Sequence, residues 1–173
     1  MVRWLVRGDG LAFLGGPWFD DGMSAPDRAR VVSATLEIAA PAQAIFELIA
    51  DPALQPQWDG NDNLGSAEPG QRVRGVDDAF RMTLRSGAVR ENRVVEFEEG
   101  RRIAWLPAEV GTQPPGHLWR WELEPIGRDA TSVRHTYDWS NLTDERRFPR
   151  AQQTTADRLL DSMRRLKEIA ERR

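Results

Sequence analysis

The stretch 151–172, AQQTTADRLLDSMRRLKEIAER, decides how the rest of the chain is read. Taken as one helix, its apolar residues Ala156, Leu159, Leu160, Met163, Leu166 and Ala170 recur at steps of three and four and form one stripe. The opposite face carries Asp157, Arg158, Asp161, Arg164, Arg165, Lys167, Glu168 and Glu171. Asp161 with Arg165, and Glu168 with Arg172, are acid-before-base pairs four apart, each worth about a few tenths of a kcal/mol. A helix of about 20 residues is a rod of roughly 30 Å, and burying its stripe contributes at most about 10–15 kcal/mol. Such a helix needs an apolar surface to lie on, and the strands that precede it supply one.

The chain has 173 residues, enough for one domain with a sizeable core. Apolar residues make up 40% and charged residues 29%, with a net charge of -3, which argues against a nucleic-acid surface. There is no cysteine, so disulfides and thiolate metal sites are excluded. No apolar run reaches the roughly 18 residues of a membrane span, so no stable membrane insertion is expected and the protein reads as cytoplasmic.

Residues 1–29 differ from the remainder. Met1 to Gly16 starts like a signal peptide, but Arg7 and Asp9 interrupt the apolar run. The segment reads as an extension on the domain surface, with Met23 as an alternative start, and residues 30–173 read as the domain proper.

Val31 to Ala39 alternates and is read as a strand. Pro41 then opens a short helix, Ala42 to Ala50, with Ile45, Phe46 and Ile49 inward. Asp51-Pro52 ends it and starts a second short helix to Trp58, and 59–63 is loop. Strands are expected near 71–77, 79–86, 88–98, 101–106, 117–125 and 131–140. No helical period lies between them, so the sheet is an antiparallel meander. The last two strands alternate cleanly. His117, Trp119, Trp121 and Leu123 share one face, as do Val133, His135, Tyr137 and Trp139. A hairpin centred near Arg128 sets Trp121 opposite His135, Trp119 opposite Tyr137, and Glu122 opposite Arg134 on the outer face. Phe80, Met82 and Leu84, then Val95 and Phe97, then Ile103 and Trp105, fill further inner rows. The parity that puts Val95 inside also puts Glu91 and Arg93 inside, unless a single bulge turns both to solvent.

Ser33 to Gly60 (SATLEIAAPAQAIFELIADPALQPQWDG) resembles the opening of the START/Bet v 1-like superfamily, in its bacterial polyketide cyclase/dehydrase and lipid-transport branch. Tyr137-Asp138-Trp139 and Leu159 to Ile169 look like the same family's closing strand and helix. The resemblance covers residues 31 to 172. It implies an α+β helix-grip fold: a seven-stranded antiparallel sheet curved around a long carboxy-terminal helix, with two short helices after the first strand and a cavity between sheet and helix. The family has no universal catalytic motif, so no catalytic residue is carried over.

The expected occupant is a small hydrophobic or aromatic, lipid- or polyketide-like ligand, with no cofactor, no metal and no nucleic acid, bound by a monomer or weak homodimer. Ligand contacts are expected from Met82, Glu91, Arg93, Val95, Trp105, Trp119, Trp121, His135, Tyr137, Trp139, Leu159 and Met163. His135 titrates near neutral pH and Tyr137 can donate a hydrogen bond, so both are candidates for acid–base chemistry in a cyclase or dehydratase, beside their plainer reading as packed core residues. A third reading is a co-chaperone or protein-interaction module docking through the amino-terminal extension. Trp58 is expected to plug the corner between the two short helices, with Asp59 beside it as a loop or capping residue.

Overall fold

A computed structural model describes residues 30–172. Residues 1–29, and with them the expected surface extension and docking segment, lie outside the described residues. Seven strands form one antiparallel sheet: β1 Val31–Ile38, β2 Leu64–Ser66, β3 Ala79–Leu84, β4 Val89–Glu98, β5 Arg102–Glu109, β6 Leu118–Pro125 and β7 Thr131–Asp138. Their spatial order is β1-β7-β6-β5-β4-β3-β2, so consecutive strands are neighbours except where β1 pairs with β7. Three helices complete the fold: α1 Ala42–Ala50, α2 Phe148–Gln152 and α3 Ala156–Ala170. Among the described residues no helix is long and apolar enough to cross a membrane.

Most of the terminal stripe is buried, while Leu160 is half-buried and Ala156 is exposed. Leu159, Met163 and Leu166 are fully buried and Ala170 nearly so. The helix is shorter than the stretch 151–172, however, because the chain breaks between α2 and α3. Thr155 has extended backbone and its hydroxyl accepts the Arg158 N–H at 3.4 Å, which caps a new helix rather than continuing the old one. α3 lies against β1, α1 and β7. Lys167 Nζ donates to the Glu37 carbonyl at 2.9 Å, and the Glu171 carboxylate accepts from the Ala39 N–H at 2.8 Å, so the carboxy-terminal end of α3 is pinned to the end of β1.

Two local expectations give way. The second short helix is only a turn followed by the 3-10 turn Gln55–Gln57, because Pro56 lacks the N–H that a continuing helix would donate. The strand expected at 71–77 is absent. The Val73 N–H goes to the Ala50 carbonyl at 2.9 Å, and the Arg74 and Gly75 N–H groups go to the Asp78 carboxylate at 2.7 and 3.1 Å. Arg72 bridges Glu47 of α1 and Glu99 of the β4–β5 turn, 2.6 Å from each. The seventh strand is instead the short β2, which pairs with β3 across a register shift.

The final hairpin has the expected register: Trp119 faces Tyr137, Trp121 faces His135, Glu122 faces Arg134 and Leu123 faces Val133. The upstream parity is corrected by a bulge. Val94 pairs with Trp105 and Glu96 with Ala104, so Val95 is the extra residue. Before it, Asn92 and Val94 are buried, while Arg93 is exposed and Glu91 is half-buried beside Arg81, 3.2 Å away. After it, Phe97 returns to the inner face and meets Phe46 of α1 edge-on at 5.7 Å.

Candidate functional site

The sheet does not close against α3 along its whole length. Between β3–β7 on one side and the loop 55–64, α2 and Ser162 of α3 on the other lies a cavity of about 210 Å³. Its inner wall is a file of rings that the β6–β7 register creates. The Trp121 and His135 rings lie face to face, centroids 3.7 Å apart. His135 is 5.5 Å from Trp119, Trp119 is 4.4 Å from Tyr137, and Tyr137 is 6.0 Å from His117. Trp58 closes the deep end, edge-on to Trp121 at 5.3 Å, with Nε1 donating to the Leu48 carbonyl at 2.8 Å. Met82, Leu84 and Trp105 complete the apolar wall.

The cover is held by the sequence Asp59-Gly60-Asn61-Asp62-Asn63. The buried Asp59 carboxylate accepts from the N–H groups of Asn61, Asn63 and Leu64 at 3.1, 2.6 and 2.7 Å, which folds the loop around one side chain. Gly60 then meets α3 so closely that a Cβ would stand 2.3 Å from the Ser162 nitrogen. Its N–H donates to Ser162 Oγ at 3.0 Å. Arg165 of α3 reaches back to the Asp59 carbonyl at 2.7 Å and to the Asp62 carboxylate at 2.8 Å.

Burial sets the protonation states on the wall. It pushes His135 down to about 3. It pushes His117 down to about 4, helped by the positive charges of Arg147, Arg150 and Arg90. It raises Tyr137 to about 12, against a smaller opposing pull from Arg150. At neutral pH all three are therefore uncharged hydrogen-bonding groups. A histidine this hard to protonate is a weak base. Among the described residues three buried polar atoms, Trp121 Nε1, His135 Nδ1 and Thr136 Oγ1, have no hydrogen-bond partner. Buried polar atoms of this kind are uncommon in proteins. Among the described residues no three His, Cys, Asp or Glu side chains gather as a metal-holding group.

Of the expected contact residues, Met82, Trp105, Trp119, Trp121, His135 and Tyr137 line the cavity. Glu91, Arg93 and Val95 do not, because the bulge reverses their side of the sheet. Trp139 lies beyond the cavity, packed on Phe148 at 5.5 Å with the Arg30 guanidinium over its ring. Leu159 and Met163 are core residues, and α3 meets the cavity through Ser162 instead. Sequence reading missed Arg90 and Asn92, which the bulge turns inward, and Arg147 and Arg150 around α2. Nothing in local periodicity marks these four. The Asn-Asp loop carried a signal, since such residues bond their own backbone, but only as a turn.

The sheet, the gripping helix and the cavity between them define a START-type helix-grip fold. The chain belongs to the polyketide cyclase / dehydrase and lipid transport family, whose model matches residues 29–171. It is 32% identical over 111 residues to the uncharacterized protein Rv0088 of Mycobacterium tuberculosis, covering 62% of this chain. The chain spans about half the length of the curated relatives it matches, 47%. It is similar in structure to protein MLL2253 of Mesorhizobium loti, at a TM-score of 0.62 and 16% identity, over 83% of this chain and 98% of that one. A START superfamily protein of Mycobacterium smegmatis matches at a TM-score of 0.60 and 20% identity, over 82% and 97%.

Proposed function

We propose that this protein binds a small, flat, apolar or aromatic molecule, lipid- or polyketide-like, against the ring wall of β6 and β7. The observation that carries this reading is the cavity itself: about 210 Å³, walled largely by aromatic rings. A dry apolar cavity of about 150 Å³ takes up benzene, so this one has room for one or two fused rings. Asn92, His117 and Tyr137, polar residues of the cavity lining, supply the few polar contacts that orient a ligand in a mostly apolar site. Family membership supports the same class of occupant. The test is native mass spectrometry of the purified protein together with a thermal-shift panel of mono- and bicyclic aromatics. A true ligand at about a hundred times its Kd stabilises by about 2.7 kcal/mol, or about 5–10 °C in a domain of this size. No retained molecule and no shift across the panel would sink the proposal.

A further inference from the structure

One end of the cavity gathers three arginines. Arg90 of β4, Arg147 and Arg150 all line it around His117, and their charges act together on that imidazole. Arg150 is exposed and Arg90 and Arg147 are half-buried, so this end opens to solvent. Several arginines elsewhere are matched by carboxylates, as Arg72 is by Glu47 and Glu99, Arg120 by Glu96, and Arg165 by Asp62, although Arg93 and Arg158 make no ion pair among the described residues. Here the matching fails. Arg150 has no carboxylate partner among the described residues, and Arg90 bonds only the neighbouring Val89 carbonyl, at 3.2 Å. Arg147 makes only loose pairs, 3.5 Å from both Asp144 and Glu109. Three guanidiniums therefore face a cavity whose lining at this end holds one carboxylate, Glu109, in a chain whose net charge is -3. Asp59 does not offset them, because its carboxylate is taken up by three backbone N–H groups. The apolar ring file begins beside this positive end, with His117 6.0 Å from Tyr137.

We infer that the occupant is an amphipathic aromatic acid: its rings lie along His135, Trp119 and Tyr137, and its carboxylate or phosphate meets Arg90, Arg147 and Arg150 at the mouth. The inference rests on the proposed binding role and specifies the ligand's class. Guanidiniums recognise both kinds of anion by paired N–H donors, so the two sources are separated by experiment.

The probes are 2-naphthoate, 2-naphthyl phosphate and the neutral 2-naphthamide, titrated into the full chain by calorimetry and tryptophan fluorescence at low salt. One anion should bind at least about tenfold tighter than the amide, the scale of a charge-assisted pair. The tighter anion names the source. The double substitution Arg90→Met and Arg150→Met should bring the anion to within about threefold of the amide while the amide's own affinity holds. Because these side chains lie at the rim, circular dichroism and an unchanged amide affinity report an intact fold. Raising the salt in the unsubstituted protein, which perturbs no residue, should narrow the same gap. Equal binding of amide and anions overturns the charge assignment and leaves the aromatic site standing. An anion preference that survives both the substitutions and salt overturns the placement at these arginines. No binding of any probe overturns the binding role and this inference with it.

Discussion

His135 and Trp121 are cross-strand neighbours whose rings stack 3.7 Å apart and 12° from parallel, at a point where both residues are almost wholly buried. A buried imidazole in that position stays neutral, and its folded pKa falls to about 3 from an ordinary value near 6.5. The unfolded chain therefore takes up the proton first. The stability held by neutral His135 is fully present above about pH 6.5 and is lost as pH falls toward about 3. At pH 4 the loss reaches about 3 kcal/mol. Replacing His135 with Phe keeps a stacking ring and removes the titration. Urea denaturation at pH 7 and pH 4 should show the substituted protein losing about 3 kcal/mol less than the parent between the two. His117 acts in the same direction and remains in both proteins, as do the carboxylates. Identical pH dependence in the two proteins would mean that this imidazole is not held neutral.

Asp59 is the side chain around which the cover loop folds. Asp59→Ala leaves the N–H groups of Asn61, Asn63 and Leu64 without their acceptor. A loss of about 3 kcal/mol is expected, seen as a fall of about 10 °C in thermal midpoint. Hydrogen exchange at Asn61 to Leu64 should quicken more than exchange in the sheet. A midpoint within about 2 °C of the parent would show that the loop holds without its carboxylate.

The contact of Gly60 with α3 leaves no room for a methyl group, since a Cβ there would press on Ser162 and Asp161 backbone atoms. Gly60→Ala should cost about 1–3 kcal/mol as the loop and helix separate. Gly75, with nothing near its Cβ position, serves as control, and Gly75→Ala should lie within about 0.5 kcal/mol of the parent. Equal effects at the two glycines would contradict the close approach.

The bulge at Val95 makes a prediction about neighbouring residues in one strand. Arg93→Ala and Glu91→Ala remove outward side chains and should leave probe binding unchanged, with stability altered by about 0.5 kcal/mol or less. Asn92→Leu changes the cavity wall and the Nδ2 donor to the Phe80 carbonyl, so it should alter affinity several-fold by calorimetry. Reversed sensitivities would restore the unbroken alternation.

The fold was legible because its signals are local and repeated. The 3.6-residue stripe of Leu159, Met163 and Leu166 states a helix with one buried side, and the alternation of Trp119, Trp121, His135 and Tyr137 states a strand with one inner face. Cross-strand register followed from that alternation, because a slip by one residue would have turned every ring outward. The break at Thr155 and the missing strand at 71–77 were less legible, since caps and Asx turns compete with regular structure on differences of about 1 kcal/mol.

Sequence alone thus determined the terminal helix's buried stripe, the antiparallel strands and the final hairpin's pairing, because each is encoded in the period of neighbouring residues, while the helix-grip arrangement followed from the resemblance to the family. Only tertiary structure decided which charges face the cavity. One extra residue at Val95 exchanged Glu91 and Arg93 for Arg90 and Asn92, and the turn before α3 brought Arg147 and Arg150 beside His117. A bulge and a helix cap are set by contacts across the sheet and between layers, which no single stretch of the chain records.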